Sequence, residues 1–447
     1  MTNTVADGSN IQLERLVRVV LLQDGRGQVQ VIMPQNNFLD LKKLNTEMGR
    51  EFAPLSHADI VTMTHKRVLK ELEIAPVFYN LPTVIDQKIA NFDQYFYEVS
   101  DLDGSESIEF SMADLHAELN KADFRVNTIA CSLKPSELPQ GKLSSESDLD
   151  DIFASVSNFT TLRIKQRLEE TLEIPPLPQT AQRIIKLRAN PDASIDELAD
   201  IVESDASLAA QVVSWASSPY YAAPGKIQSV KDAIVRVLGF DLVSNLAVGL
   251  ALGNTLAIPK DKVEGLTPYW LQSVYCSTAV EAVLKQMPAK IRPSVGLACL
   301  AGLLHNFGDL VLAHIFPPHY SAICRAMEAN PSISHVAIDL HLIGVTREQI
   351  SAWLMQLWNM PPEVSTALRF QHQWEFTGEN CEYANIVYMV LRLLRQKGIG
   401  NAPASEPVPA QLYERYDLDP SKVQEAIDKV VDAEENMRQI AENFKPK

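Results

Sequence analysis

His305 and His372 are the side chains in this sequence best suited to metal chemistry. A site that activates water with one or two divalent metals needs several histidine and aspartate ligands. Here His305 is followed by the neutral amide of Asn306, and two imidazoles with one amide do not make a three-ligand site with an open position. We therefore predict that His305 is a core histidine hydrogen-bonded at a helix end and that His372 ends a helix or lies in a loop. No metal and no cofactor is expected.

Other catalytic signatures are missing from the sequence. It contains no P-loop, no GxGxxG after a strand, no GxSxG and no HExxH. Its five cysteines are far apart and form no CxxC pair, which favours reduced core thiols in a reducing compartment over a disulfide framework. They are Cys131, Cys276, Cys299, Cys324 and Cys381.

Composition and charge indicate a folded protein with two or three domains. The 447 residues are 46% hydrophobic and 21% charged. The net charge of −16 argues against a general affinity for nucleic acid or anionic membranes, and residues 1–134 carry 13 Lys/Arg against 19 Asp/Glu. The N-terminus lacks a secretory signal pattern, and the apolar stretches 242–259 and 293–308 are expected to be buried helices. We expect a cytoplasmic protein.

The elements predicted for the first 134 residues are those of an α/β domain with a mixed or antiparallel sheet. Valine- and leucine-rich runs at 16–22 and 29–33 flank Asp24-Gly25 and predict a hairpin. A helix should end at Gly49. A second strand pair is predicted at 94–99 and 107–110, followed by a helix that Ser111 caps.

After a polar, acidic linker at 135–158, with a helix beginning near Asp148, the pattern becomes almost entirely helical. An all-α domain is expected over 159–400, with capping boxes and apolar faces spaced for helices. The last part, 401–447, consists of a Pro-rich break and a polar helix at 420–444, expected to be exposed to solvent.

A series of short motifs in the second region resembles the HD-related output (HDOD) domain. It runs from Pro175-Pro-Leu-Pro178 through Glu203-Ser-Asp205 to Ala301-Gly-Leu-Leu-His-Asn-Phe-Gly308 and Trp358-Asn-Met-Pro361. The resemblance covers about 165–400. It implies an all-α fold related to HD phosphohydrolases, of a kind common in bacterial signalling chains.

The same resemblance implies that the metal-ligand set of the HD enzymes is broken here. Neutral, cationic or apolar side chains stand where that family has histidine or aspartate, so metal catalysis is not expected. The replacements are Gln272, Asn306, Arg347, Gln371 and Leu391.

The first region is similar to YbaK-type aminoacyl-tRNA deacylases over about 10–130. The similarity rests on residues 38–49 and on Asn80-Leu-Pro-Thr-Val-Ile-Asp86. That family uses a lysine in the first strand, here Arg18, and a glycine-rich loop, here 71–78, which keeps Pro76 but none of the glycines. Crowding of the backbone and two added carboxylates disfavour catalysis and an RNA ligand. The predicted remnants of the two ancestral pockets, the deacylase pocket and the HD pocket, are Arg18, Pro76, His305 and His372.

The leading hypothesis is therefore a non-catalytic regulatory protein of a signalling pathway, with no nucleic acid or membrane partner. Its first module would sense or dock, a small molecule being one ligand class, and its helical domain would bind a protein partner. One alternative is an aminoacyl-tRNA deacylase with a divergent site. The other is a metal-dependent HD phosphohydrolase.

Overall fold

The chain folds into two compact units, one built around a mixed sheet and the other made of helices. In the computed structural model, unit 1 comprises Met1–Pro139 and Ser321–His341, and unit 2 comprises Gln140–Tyr320 and Leu342–Lys447. The predicted fold class, an α/β region followed by a helical domain, is confirmed. The structure describes residues 15–66, 69–72, 75–89, 94–101, 104–121, 126–159, 176–188, 190, 192–222, 225–253, 255–256, 258–264, 266–400 and 407–442.

Unit 1 is organised by a five-stranded sheet in the order β10-β7-β2-β1-β4. Strands β1 and β2 are the predicted antiparallel hairpin, whereas β7 runs parallel to both β2 and β10. Its elements are β1 Val17–Asp24, β2 Gly27–Pro34, β3 Phe38–Leu39, α1 Leu41–Met48, β4 Ala53–Pro54, α2 His57–His65, β5 Glu71–Leu72, β6 Ala75–Tyr79, β7 Thr83–Asp86, β8 Gln94–Asp101, β9 Gly104–Ser111, α3 Met112–Lys121, β10 Val126–Ile129 and β11 Ser132–Leu133.

Both faces of this sheet are covered. Val31 and Met33 belong to the apolar cluster that includes α1, whereas Ile32 belongs to a cluster that includes α3. Because successive side chains of a strand point to opposite faces, three consecutive buried residues require cover on both sides. The sheet is thus the core of unit 1 rather than an exposed surface.

Residues 71–78 differ from the loop expected there. The described residues, Glu71–Leu72 and those from Ala75 onwards, belong to the short antiparallel pair β5–β6, with Glu71 opposite Tyr79. Phe78 is fully buried and packs edge-on against Phe110, with ring centroids 4.8 Å apart. Burial of this apolar side chain favours a strand over an open loop. Pro76 lies in β6, which has β5 as its strand partner.

The helices that follow along the chain begin with one in the expected linker. They are α4 Asp148–Phe159, α5 Gln179–Arg188, α6 Ile195–Glu203, α7 Ala206–Ala216, α8 Val230–Ala233, α9 Phe240–Gly253, α10 Tyr269–Leu284, α11 Val295–Leu304, α12 Phe307–Ile315, α13 Pro317–Ala329, α14 His335–Ile343, α15 Arg347–Leu357, α16 Pro362–Phe370, α17 Cys381–Gln396, α18 Ala410–Arg415, α19 Pro420–Asp432 and α20 Glu434–Glu442.

Helices α10 and α11 form the centre of unit 2. Every residue from Trp270 to Leu284 is buried, so α10 has no solvent-facing side. The two helices approach closely at Gly302, where a β-carbon would lie 3.1 Å from the backbone of Ser277. The glycine is therefore what permits this spacing.

A helix in the predicted linker and the C-terminal segment both pack within unit 2. Helix α4, expected in the linker 135–158, contacts α15 and buries Ile152 and Val156, which lie four residues apart on one face. The C-terminal segment 420–444 contains two helices, α19 and α20, which contact α10 through Ile427, Met437 and other apolar residues. The expectation of an exposed helix was wrong because its apolar residues recur at helical spacing.

Within the described ranges, no single helix has both the length and the hydropathy of a membrane span. Two consecutive helical pieces, Val295–Leu304 and Phe307–His314, pass that test together but meet at a bend of 41°.

Candidate functional site

His305 ends helix α11 inside unit 2. The residue is 8% exposed, and its Nδ1 lies 2.8 Å from the carbonyl oxygen of Gly302. This contact indicates that Nδ1 carries the proton and donates it to the carbonyl. Burial lowers the pKa of His305 to about 4, and the positive charge of Arg395 acts in the same direction. The imidazole is thus neutral at pH 7 and is held as a core side chain.

Asn306, predicted to stand in place of the HD aspartate, joins the end of helix α11 to the start of α10. Its Oδ1 accepts a hydrogen bond from the hydroxyl of Ser273 at 2.9 Å, and its Nδ2 donates to the carbonyl of Tyr269 at 3.0 Å. The residue is 4% exposed. An aspartate could accept from Ser273 but would face the Tyr269 carbonyl with a second acceptor.

The two glutamines among the predicted replacements, Gln272 and Gln371, donate hydrogen bonds to backbone carbonyls. Gln371 donates from Nε2 to the carbonyl of His305 at 2.8 Å, which brings these two predicted positions together. Gln272 donates from Nε2 to the carbonyl of Thr267 at 2.5 Å. In each case the amide closes a turn or joins two segments, a role that needs a donor rather than a metal ligand.

The other residues singled out from the sequence in this unit are a cation, Arg347, an imidazole, His372, and an apolar side chain, Leu391. Arg347 is buried and forms an ion pair with Asp309. His372 Nε2 lies 3.3 Å from a carboxylate oxygen of Glu348. Leu391 is 7% exposed in α17, where it packs as a core residue. A buried arginine paired with a carboxylate leaves a net charge near zero in place of the negative charge that metal ligands supply.

The guanidinium of Arg18 forms hydrogen bonds that join segments of unit 1. It donates to the carbonyls of Ala329 and Asn37 at 2.7 and 3.1 Å, and to Oδ1 of Asn330 at 2.8 Å. Burial lowers its pKa to about 10, so it remains protonated at neutral pH. These contacts tie the segment Ser321–His341 to β1 and β3 of the same unit.

A second polar cluster lies at the start of α4. The carboxylate of Asp148 forms a two-pronged ion pair with Nε and Nη2 of Arg369, and it also accepts from Gln349 at 2.8 Å. Arg369 reaches further, to the carbonyls of Lys142 and Ser144 at 3.3 Å. The side chains of Arg369 and Asp148 are only 5% and 12% exposed.

A cleft of about 310 Å³ opens beside this ion pair. Three helices of unit 2 form its walls: the start of α4, one face of α15 and one face of α16. Sequence analysis did not predict this cleft. The available signal was Asp148 at the first position of an amphipathic stretch, but a sequence gives no indication that its partner is Arg369.

The family comparison agrees with the predicted helical domain. The model of the HDOD domain matches residues 174–374. A protein from Marinobacter aquaeolei VT8, provisionally named a signal transduction protein, has a crystal structure with a TM-score of 0.83 to this chain. The two are 40% identical over 97% of this chain and 94% of that one.

One more distant structure shares the fold, and one more distant sequence matches part of the chain. An HDOD domain protein of unknown function from Geobacter sulfurreducens is 19% identical over 67% of this chain and all of its own, with a TM-score of 0.51. An uncharacterized protein of Treponema pallidum (strain Nichols) is 23% identical over 49% of this chain, and the match spans 41% of that relative's length. The family model and the full-length likeness to the Marinobacter protein together show that this chain belongs to the HDOD domain family.

Proposed function

We propose that this chain is a non-catalytic regulatory protein of signal transduction, which acts by binding a protein partner or a small ligand. The HDOD domain and the 40% identity to the Marinobacter protein support the signalling role. The absence of catalysis is inferred from the chemistry of the helical unit.

The observation that carries the proposal is the hydrogen bonding of Asn306. Both ends of its amide are engaged by α10, one by the Ser273 hydroxyl and one by the Tyr269 carbonyl. A carboxylate ligand would lose one of these contacts, and a metal bound there would compete with both. The ion pair of Arg347 with Asp309 supports the same conclusion, because a neutralised pair supplies none of the negative charge that ligands of a divalent metal provide.

On this proposal, unit 1 shares an origin with the deacylases but has no deacylase activity. The Arg18 guanidinium at the expected lysine position is occupied by two backbone carbonyls and one amide oxygen. It therefore contributes to the packing of unit 1 rather than to an ester substrate. Unit 1 would then serve as a sensor or docking module.

The test is a pair of turnover assays with matched variants. Purified full-length protein, given manganese, should not hydrolyse bis(p-nitrophenyl) phosphate, and it should retain well under one metal per chain. Asn306→Asp should lose stability by about 1–3 kcal/mol, because it removes the amide donor to the Tyr269 carbonyl and buries a carboxylate oxygen against that carbonyl, and should gain no activity. Mischarged tRNA should likewise persist in the presence of the protein.

Either of two results would overturn the proposal. One is phosphodiester turnover that disappears in His305→Ala. The other is deacylation of mischarged tRNA that disappears in Arg18→Ala.

A further inference from the structure

We propose that the cleft between α4, α15 and α16 binds a small, uncharged, planar molecule that carries a hydrogen-bond acceptor. The inference deepens the proposed regulatory function by naming a ligand class for unit 2. The cleft is separate from His305 and His372. The residues that line it also include none of the predicted replacements, which are Gln272, Asn306, Arg347, Gln371 and Leu391.

The size and walls of the cleft set the dimensions of the ligand. Its volume of about 310 Å³ lies at the lower end of the range of ~300–1,000 Å³ that small-molecule sites occupy. From α15, Ala352 and Trp353 line it, and from α16, Thr366 and Phe370 do so. The half-buried indole of Trp353 offers a flat apolar surface. A single ring system fits this space better than an extended chain.

The charges of the cleft favour a neutral ligand. Asp148 and Arg369 line it together, and their two-pronged ion pair is nearly removed from water. An anionic ligand that approached Arg369 would meet the Asp148 carboxylate, and a cationic ligand that approached Asp148 would meet the guanidinium. A charged ligand would lose its hydration on entering the cleft, and the neutral ion pair would offer no net attraction to compensate for that loss.

Arg369 supplies a hydrogen-bond donor to the cleft, which is also lined by the amide of Gln356 and the hydroxyl of Thr366, groups that can either donate or accept. Arg369 uses Nε and Nη2 for its contacts with Asp148, Lys142 and Ser144, and its Nη1 makes no hydrogen bond within the described residues. The hydroxyl of Ser365 already donates to the carbonyl of Pro362 at 3.0 Å. A carbonyl oxygen on the ligand could accept from Nη1 while its ring lies against Trp353. A planar aromatic amide has this chemistry.

The experiment measures binding of benzamide to the full-length protein by isothermal titration calorimetry. Benzoate and benzamidine share its ring but carry a negative or a positive charge. Benzamide is expected to bind with a Kd in the millimolar range or tighter, and each charged analogue at least ~10-fold more weakly. No turnover enters this measurement, so phosphodiester hydrolysis would refute the proposed function while leaving the cleft intact.

A matched pair of substitutions locates the binding. Ala352→Leu places extra carbon atoms in the cleft and should abolish benzamide binding, whereas Ala154→Leu makes the same change at an exposed position of α4 that does not line it. Far-UV circular dichroism checks that both variants fold, and Thr366→Leu replaces Ala352→Leu should that one not fold. Absence of benzamide binding, equal binding of all three probes, or unchanged binding in the folded cleft variant would overturn the proposal.

Discussion

At the scale of single residues, the side chains predicted to replace metal ligands form hydrogen bonds inside the helical unit. Asn306 bonds to Tyr269 and Ser273, and these partners precede it by 37 and 33 residues. The order of the motifs led to the prediction that Asn306 stands in place of a metal ligand. It gave no indication that this side chain would bond to α10, because hydrogen bonding across such separations depends on the packing of the whole unit.

His305 makes the stability of unit 2 depend on pH. Its pKa is about 4 in the folded protein, because of burial, against 6.5 for the free group. Between these values the unfolded state binds a proton that the folded state does not, so stability rises with pH. We expect unfolding free energy to fall by about 1.4 kcal/mol per unit as pH drops from 6.5 towards 4, for a total of about 3 kcal/mol.

Urea unfolding followed by tryptophan fluorescence can measure this slope, since all five tryptophans belong to unit 2. Replacing His305 with asparagine should reduce the proton uptake on unfolding by about one, while replacing the exposed His314 with glutamine controls for the loss of a histidine. An unchanged slope in His305→Asn would show that the imidazole is not the group responsible.

At the scale of elements, α4 is where sequence and structure differ most. Its acidic, serine-rich composition suggested a linker, yet Ile152 and Val156 give it an apolar face and Ser155 donates to the carbonyl of Ile343 at 2.5 Å. The start of the helix was predictable from Asp148. Its attachment was not, because Arg369 lies 221 residues later in the chain.

The ion pair between Asp148 and Arg369 should contribute strongly to the stability of unit 2. Asp148→Ala leaves the Arg369 guanidinium buried without its carboxylate, and we expect a loss of about 3–5 kcal/mol in urea unfolding. Asp150→Ala removes an exposed carboxylate from the same helix and should change stability by less than about 0.5 kcal/mol.

A double variant separates the ion pair from the packing of α4. Asp148→Ala combined with Arg369→Met removes both charges and should recover part of the loss, because no unpaired charge remains. If the double variant is as unstable as the sum of the two single ones, the charges do not act as a pair.

At the scale of the whole molecule, unit 1 is not continuous in sequence. Asn330, 1% exposed, accepts from the N–H of Leu39 at 2.6 Å and donates to the carbonyl of the same residue at 3.1 Å. Its side chain thus bonds to β3 as a neighbouring strand would. The sequence correctly indicated α/β and helical regions. Residues 321–341 lie inside the span of the HDOD family model and pack in unit 1.

Asn330→Ala should loosen β3 within unit 1. The substitution leaves both polar groups of Leu39 without these partners and removes one acceptor from Arg18, at a cost of about 1–3 kcal/mol. Hydrogen exchange at the Leu39 amide, followed by mass spectrometry, should accelerate by about ten- to a hundredfold. Asn127→Ala, at an exposed position in β10, should leave it unchanged. Equal rates in both variants would refute this role of Asn330.

The discontinuity of unit 1 has a consequence for synthesis on the ribosome. Domains of growing chains usually fold in order from the N-terminus. Here the first strands are made early, but Asn330, which completes the hydrogen bonding of Arg18 and Leu39, is added about 290 residues after Leu39. The N-terminal segment therefore lacks the hydrogen bonds of Arg18 and Leu39 with Asn330 until most of the helical domain has been translated. The unit that is begun first thus receives its last segment only after residues 140–320 of the other unit.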